Sequence, residues 1–146
     1  MDLQTKLNQE GLRLTHPRHV VMEILKSTSA PLTPLAIHQN SLASGEDIGL
    51  VSVYRTLDLL MGLGFVRKVH GPEGCQGYVC SSPGHHHHLV CTQCGKAVEF
   101  SGAGDLNSLL KRIHQETGYK IDSHLLQLQG VCPDCQKETQ NDENRN

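Results

Sequence analysis

Two changes of texture along the 146 residues predict an α+β fold in two lobes. Through residue 64 the apolar positions recur at helical spacing. From Phe65 onward short β-type runs take over, interrupted by one further helical stretch. The third observation is chemical. Two Cys-x-x-Cys pairs, Cys91/Cys94 and Cys132/Cys135, occur in the second lobe, and His85-His86-His87-His88 runs just ahead of the first pair. With 3% aromatic residues and no Trp, neither lobe has a large core. Lobes this small gain from a metal staple or from dimerisation.

Taken in order, Leu3, Leu7 and Leu12 give a weak apolar stripe. Thr15-His16-Pro17 has the form of an N-cap with Pro in the first turn, and Val20, Val21, Ile24 and Leu25 follow at helical spacing. Residues 27–31 break the pattern. Thr33-Pro34 repeats the start signal ahead of Leu35, Ile37 and Leu42. After the Gly45-Glu46-Asp47 loop, Val53, Leu57, Leu60 and Met61 mark an amphipathic helix ended by Gly62 and Gly64. Ser52, Arg55, Asp58 and Leu59 face away from its apolar stripe, with Tyr54 on the flank. Residues 65–69 and 77–80 then read as strands about Gly71-Pro72-Glu73-Gly74, a hairpin. Helices followed by a hairpin outline a winged helix-turn-helix over residues 1–80, whose last helix enters a DNA major groove. The same pattern also fits a small helical scaffold. Charge does not favour DNA in bulk, since the net value is −2 and residues 1–80 hold seven basic and seven acidic groups. DNA contact must rest on a few placed side chains.

Ser81-Ser82-Pro83-Gly84 reads as a hinge, residues 81–84. Beyond it, 85–90 and 97–100 read as strands. Leu106, Leu109, Leu110 and Ile113 mark a helix stopped by Gly118, and 119–130 reads as a strand delivering the second Cys pair. This β-β-α-β lobe, residues 85–135, is too small to bury its sheet alone, which points to a dimer with a continuous sheet. Residues 136–146 are polar and read as a disordered tail. No apolar run approaches the roughly 18 residues of a membrane span, so a cytoplasmic protein with no membrane partner is expected.

In a reducing compartment, paired Cys-x-x-Cys clusters read as metal ligands, with a redox dithiol or buried thiols as the alternatives. Two such knuckles, Cys91, Cys94, Cys132 and Cys135, supply the four thiolates of a structural zinc site. Side chains alternate along a strand, so His86 and His88 share one face while His85 and His87 share the other. Cys80, Glu99 and His70 are candidate partners for the first pair, His124 and Asp105 for the second. A metal held by Cys80, His86, His88 and one carboxylate or imidazole would span both lobes and fix their orientation.

With these residues in hand, the chain resembles the ferric uptake regulator (Fur) family of metal-dependent bacterial repressors over residues 11–136. The resemblance is carried by Gly11-Leu12-Arg13-Leu14-Thr15-His16-Pro17-Arg18, by Val53-Tyr54-Arg55-Thr56-Leu57, by residues 85–99, and by Gly130-Val131-Cys132-Pro133-Asp134-Cys135. It implies a winged-helix DNA-binding domain, a hinge and an α/β dimerisation domain, with a homodimer bound to a palindromic double-stranded operator. Tyr54 and Arg55, with Ser52 beside them, would lie on the recognition helix, and Arg13 and Arg18 near the DNA backbone or minor groove. Cys91, Cys94, Cys132 and Cys135 match the structural zinc ligands; His86, His88 and Glu99 match regulatory positions.

Within the family, iron and peroxide sensors place a His near the position of Pro31 and a carboxylate where this chain has Cys80. A thiolate suits Zn2+ better than oxidisable Fe2+, and members with Cys there resemble the zinc uptake regulators. Their fourth ligand comes from the start of the hairpin, where this chain has Arg67, which leaves His70 or Glu99. The family's carboxylate for the other face falls near Leu106 or Asn107, and Asp105 fits with a shift. A zinc-responsive repressor of zinc uptake genes is therefore expected, with iron, manganese or peroxide sensing as the alternative. Metal storage leaves the helical half without a use. A zinc-dependent enzyme is the distant alternative, as the sequence has no His-Glu-x-x-His, Gly-rich phosphate loop or Gly-x-Ser-x-Gly.

Overall fold

The structure, a computed structural model, describes residues 1–102 and 106–143. Helices α1 (Leu3–Gln9), α2 (His16–Lys26), α3 (Pro34–Ala43) and α4 (Leu50–Gly62) come first. Asp2 caps α1 by accepting from the Thr5 amide at 2.9 Å, and Thr33 caps α3 through the Ala36 amide at 3.1 Å; each satisfies an amide that the first helical turn leaves free. Thr15 occupies the N-cap of α2, but its side chain makes no capping bond. The apolar faces of α2, α3 and α4 converge on Val21, Leu25, Ile37, Val53, Leu57 and Leu60, all nearly or fully buried.

The hairpin closes this core. Strands β1 (Val66–His70) and β2 (Gln76–Cys80) pair antiparallel around a short 3-10 turn at Pro72–Gly74. Val66 and Tyr78 join the helical cluster, while Val69 and Val79 pack on Val90 from the next sheet. Leu32 bridges Tyr78, which draws the α2–α3 connection against the hairpin. Gly77 makes that approach possible: a Cβ there would lie 2.5 Å from Pro31 Cβ and 3.0 Å from its carbonyl carbon.

The C-terminal α/β domain holds β3 (His86–Cys91), β4 (Ala97–Ser101), α5 (Asn107–Thr117), β5 (Gln127–Gly130) and α6 (Pro133–Glu143). Strand order is β4-β3-β5, with β3 antiparallel to β4 and parallel to β5. Gly118, at φ 74°, ends α5 in the left-handed conformation that glycine adopts without strain. The row Val98–Leu89–Leu128 crosses the sheet in register and is 47, 37 and 45% exposed, so this apolar row lacks a full cover among the described residues.

Two sequence expectations are corrected. The last strand covers only Gln127–Gly130 rather than 119–130, because β3 offers a ladder partner to just those residues. Residues 136–143, read as part of a disordered tail, continue α6. That helix is polar all round and shows no apolar stripe, but it starts with Pro133, carries Asp134 in its first turn and is anchored by buried Cys135.

Candidate metal centres

Strand β3 organises every cluster. At its end, Cys91 meets Cys94 from the following turn and Cys132 and Cys135 from the start of α6. The four sulfurs lie within 4.8 Å of one another, with Cys91–Cys135 at 3.9 Å and Cys94–Cys132 at 3.7 Å. A tetrahedron of thiolates about 2.3 Å from zinc has sulfur–sulfur edges of about 3.8 Å. The donor set therefore fits structural Zn2+. Backbone N–H groups of Cys94 and Cys132 draw the Cys91 thiol down to about 6. The neighbouring Cys132 sulfur, with burial, pushes Cys135 strongly up, and Cys94 is raised as well. Sulfurs this close resist sharing negative charge, and a divalent cation relieves that conflict.

One face of β3 carries a second assembled cluster. His85, His87 and His124 place their ring nitrogens within 4.8 Å of one another, and His124 Nε2 is 3.0 Å from His85 Nε2. His87 is 6% exposed, and its Nε2 has no partner. Burial pushes its pKa down, and the neighbouring His85 and His124 rings add to the effect. A neutral imidazole is the form that binds metal. Gly102, which sequence reasoning missed, makes the cluster possible. It donates its N–H to the His85 carbonyl at 3.0 Å, and a Cβ there would collide with both the His85 and His87 rings. Asp105 lies outside the described residues.

The other face is arranged but not closed. Register places His88 opposite Glu99; Glu99 Oε1 is 3.6 Å from His86 Nδ1 and Oε2 is 3.9 Å from His88 Nε2. Ser81 Oγ and the Ser82 amide both donate to Glu99 Oε2, at 2.7 and 2.8 Å. Burial alone would raise the Glu99 pKa; these hydrogen bonds outweigh it and hold the carboxyl below its ordinary value. Cys80 approaches through its carbonyl, 3.3 Å from His88 Nε2. Its side chain packs beside the helical core, where burial pushes the thiol up. Cys80, His86, His88 and Glu99 do not form a group closed to within 4.8 Å among the described residues. Burial also pushes His88 down.

His70, at the end of β1, is exposed and outside both groups. Its backbone is bracketed by Gln127, which accepts from His70 N at 2.9 Å and donates to its carbonyl at 2.6 Å. Arg67 lines the same cavity of about 300 Å³ as the four-histidine run, with a buried Nε that lacks a partner.

On α4, Tyr54 is half exposed on the flank of the Val53–Leu57–Leu60 stripe, while exposed Arg55 and partly buried Ser52 lie on the side away from it. Arg18 donates to the Arg13 carbonyl, which ties those two cations together at the start of α2.

An N-terminal helical DNA-binding region with a hairpin, joined to an α/β domain bearing a four-cysteine cluster, defines a metal-responsive transcription regulator. The family model "Ferric uptake regulator family" matches residues 9–129, and the chain belongs to that family. A ferric uptake regulation protein from Legionella pneumophila is 35% identical over 137 residues, spanning 93% of this chain and all of that one. One from Neisseria gonorrhoeae is 32% identical, over 90 and 91% of the two chains. Among solved structures, holo XcZur superposes with TM-score 0.75 at 27% identity, covering 92% of this chain and 94% of that one. The Vibrio cholerae ferric uptake regulator gives 0.59 at 31% identity, covering 90 and 100%. Members of this family regulate transcription and are not enzymes. No described helix is long and apolar enough to cross a membrane.

Proposed function

We propose that this protein is a zinc-responsive repressor that acts as a homodimer on a palindromic operator and controls zinc uptake genes. The observation that carries the reading is Glu99 beside His86 and His88 where the hairpin meets β3, with Cys80, whose carbonyl lies 3.3 Å from His88 Nε2, as the neighbouring thiol-bearing residue. A soft thiolate beside imidazoles selects Zn2+ over Fe2+ or Mn2+. When bound there, zinc supplies a Lewis-acid crosslink between the end of β2 and the β3–β4 pair. The chain's own part is to turn the Cys80 side chain out of the helical core toward His88, whose burial favours the neutral imidazole that a metal needs. Residues 1–80 act in DNA binding, 81–84 as the hinge and 85–135 in dimerisation. The open Val98–Leu89–Leu128 row supports a second copy as its cover. Tyr54, Arg55 and Ser52 read the operator from α4, and Arg13 and Arg18 hold its backbone. Likeness to holo XcZur in the arrangement of the whole chain agrees with this assignment.

The second reading, an iron or manganese sensor, is supported by the names of the relatives at 35 and 32% identity and by the carboxylate and two imidazoles that remain without Cys80. Metal titration separates the two. Protein retaining only its four-cysteine zinc is titrated with Zn2+, Mn2+ or Fe2+ while binding to a duplex recovered by in vitro selection is followed. Zinc should restore binding at the lowest free concentration, and Cys80→Ala should remove that preference. Restoration by Fe2+ or Mn2+ at lower concentration, unaffected by Cys80→Ala, would establish the second reading instead.

A further inference from the structure

The two oxygens of Glu99 have different surroundings. Oε2 accepts from Ser81 Oγ at 2.7 Å and from the Ser82 amide at 2.8 Å. Oε1 points to His86 Nδ1 at 3.6 Å. Ser81 is itself fixed from the other side, since its N–H donates to the Phe65 carbonyl at 2.9 Å, and the Phe65 N–H donates to the Leu60 carbonyl at 2.9 Å. Leu60 is in α4, the helix whose outer face carries Tyr54 and Arg55. Pro83 packs close to Gly64, where a Cβ would meet Pro83 Cα at 3.4 Å. Residues 81–83, which the composition marks as a spacer, are thus wedged between the end of α4 and one oxygen of a carboxylate on β4.

We infer that Ser81 and Ser82 are positioning residues for the regulatory metal: they hold Glu99 by Oε2, the oxygen on the His88 side, so that Oε1 is presented beside His86, and they tie that carboxylate to the end of α4. The inference rests on the regulatory-site reading above. A carboxylate fixed by outer partners loses less rotamer freedom on ligation and has a defined direction of approach. The coupling is also reciprocal. If a seated hinge favours metal on Glu99, metal on Glu99 must favour the seated hinge by the same factor. Occupancy of the histidine face then bears on where α4 sits relative to the sheet, through three hydrogen bonds in sequence from Glu99 through Ser81 and Phe65 to Leu60.

The test uses the full chain with its four-cysteine zinc in place, and reads regulatory Zn2+ affinity by competition with a chelator. Ser81→Ala should weaken that affinity about tenfold, whereas Ser81→Thr, which keeps the hydroxyl, should stay within about twofold of the parent. Melting temperature measured before regulatory zinc is added should be alike in all three. A metal-independent readout accompanies this: hydrogen exchange at the Ser82 amide should be several-fold faster in Glu99→Ala than in the parent. Unchanged zinc affinity in Ser81→Ala, alongside a clear loss in His88→Ala, overturns the inference and leaves the site reading standing. If neither His88→Ala nor Glu99→Ala alters regulatory zinc affinity, the site reading fails and the inference with it.

Discussion

The two faces of β3 differ in readiness. On one, His85, His87 and His124 already stand within 4.8 Å of each other, over a glycine that leaves them room. On the other, Glu99 lies between His86 and His88 while the Cys80 thiol remains against the helical core. A preassembled cluster binds metal with little rearrangement, and so transmits little to the rest of the chain. A cluster that must draw in a residue from across the hinge converts binding energy into a change of arrangement. On the proposed reading, identical side chains alternating along one strand serve two different ends.

The largest effect should follow from removing the centre that terminates β3. Cys132→Ser should release the start of α6, lose the structural zinc and unfold the C-terminal domain, read as loss of cooperative melting and, for the proposed homodimer, of the dimer in sedimentation. Both histidine faces should fail together. His88→Ala separates them. It should lower regulatory zinc affinity by about 100-fold or more, exceeding the roughly 10–100-fold cost of losing an outer partner, and abolish zinc-dependent operator binding while the four-cysteine zinc stays bound. Retained zinc dependence would erase the proposed division of labour. Gly102→Ala is the converse probe. It displaces the His85 and His87 rings, so it should weaken zinc at that cluster about tenfold and leave His86 and His88 responsive. An effect confined to the regulatory face would reverse the assignment.

The smallest expected effect is on pH dependence before metal is added to either histidine face. Burial lowers the pKa of both His87 and His88 below the ordinary value of 6.5. As pH falls through that value, the unfolded chain takes up protons that the folded chain does not, so stability declines with acidification. The melting temperature should be lower at pH 5.5 than at 7.5, and the difference should shrink when both rings are replaced by Gln. No change with pH would mean that these rings are hydrated in solution, against their placement in the buried sheet.

The four-cysteine centre was legible because each knuckle is a local pattern, and the two faces of β3 because a strand alternates with period two. Cys80 and Glu99 were legible as candidates, but their setting was not. That Cys80 meets His88 through its carbonyl depends on the side chain of a half-buried thiol choosing the helical core. Gly102 and Ser81 carry no motif. Their roles arise from approach in space, as does the Gln127 clasp on His70. Helix α6 escaped detection because periodicity is a signal of burial on one side, and this helix buries almost nothing but Cys135.

A run of four histidines also has a consequence for how the strand finds its place. Sliding β3 by one residue past β4 exchanges its two faces, yet three of the four histidine positions would still hold histidine, so imidazole chemistry discriminates the correct alignment from its neighbour only weakly. Discrimination comes from the end of the strand, where Val90 must enter the apolar contact with Val69 and Val79, and Cys91 must reach Cys94, Cys132 and Cys135. The thiolate cluster therefore acts as an index mark for the strand: it determines which histidines belong to which centre before either has met its metal.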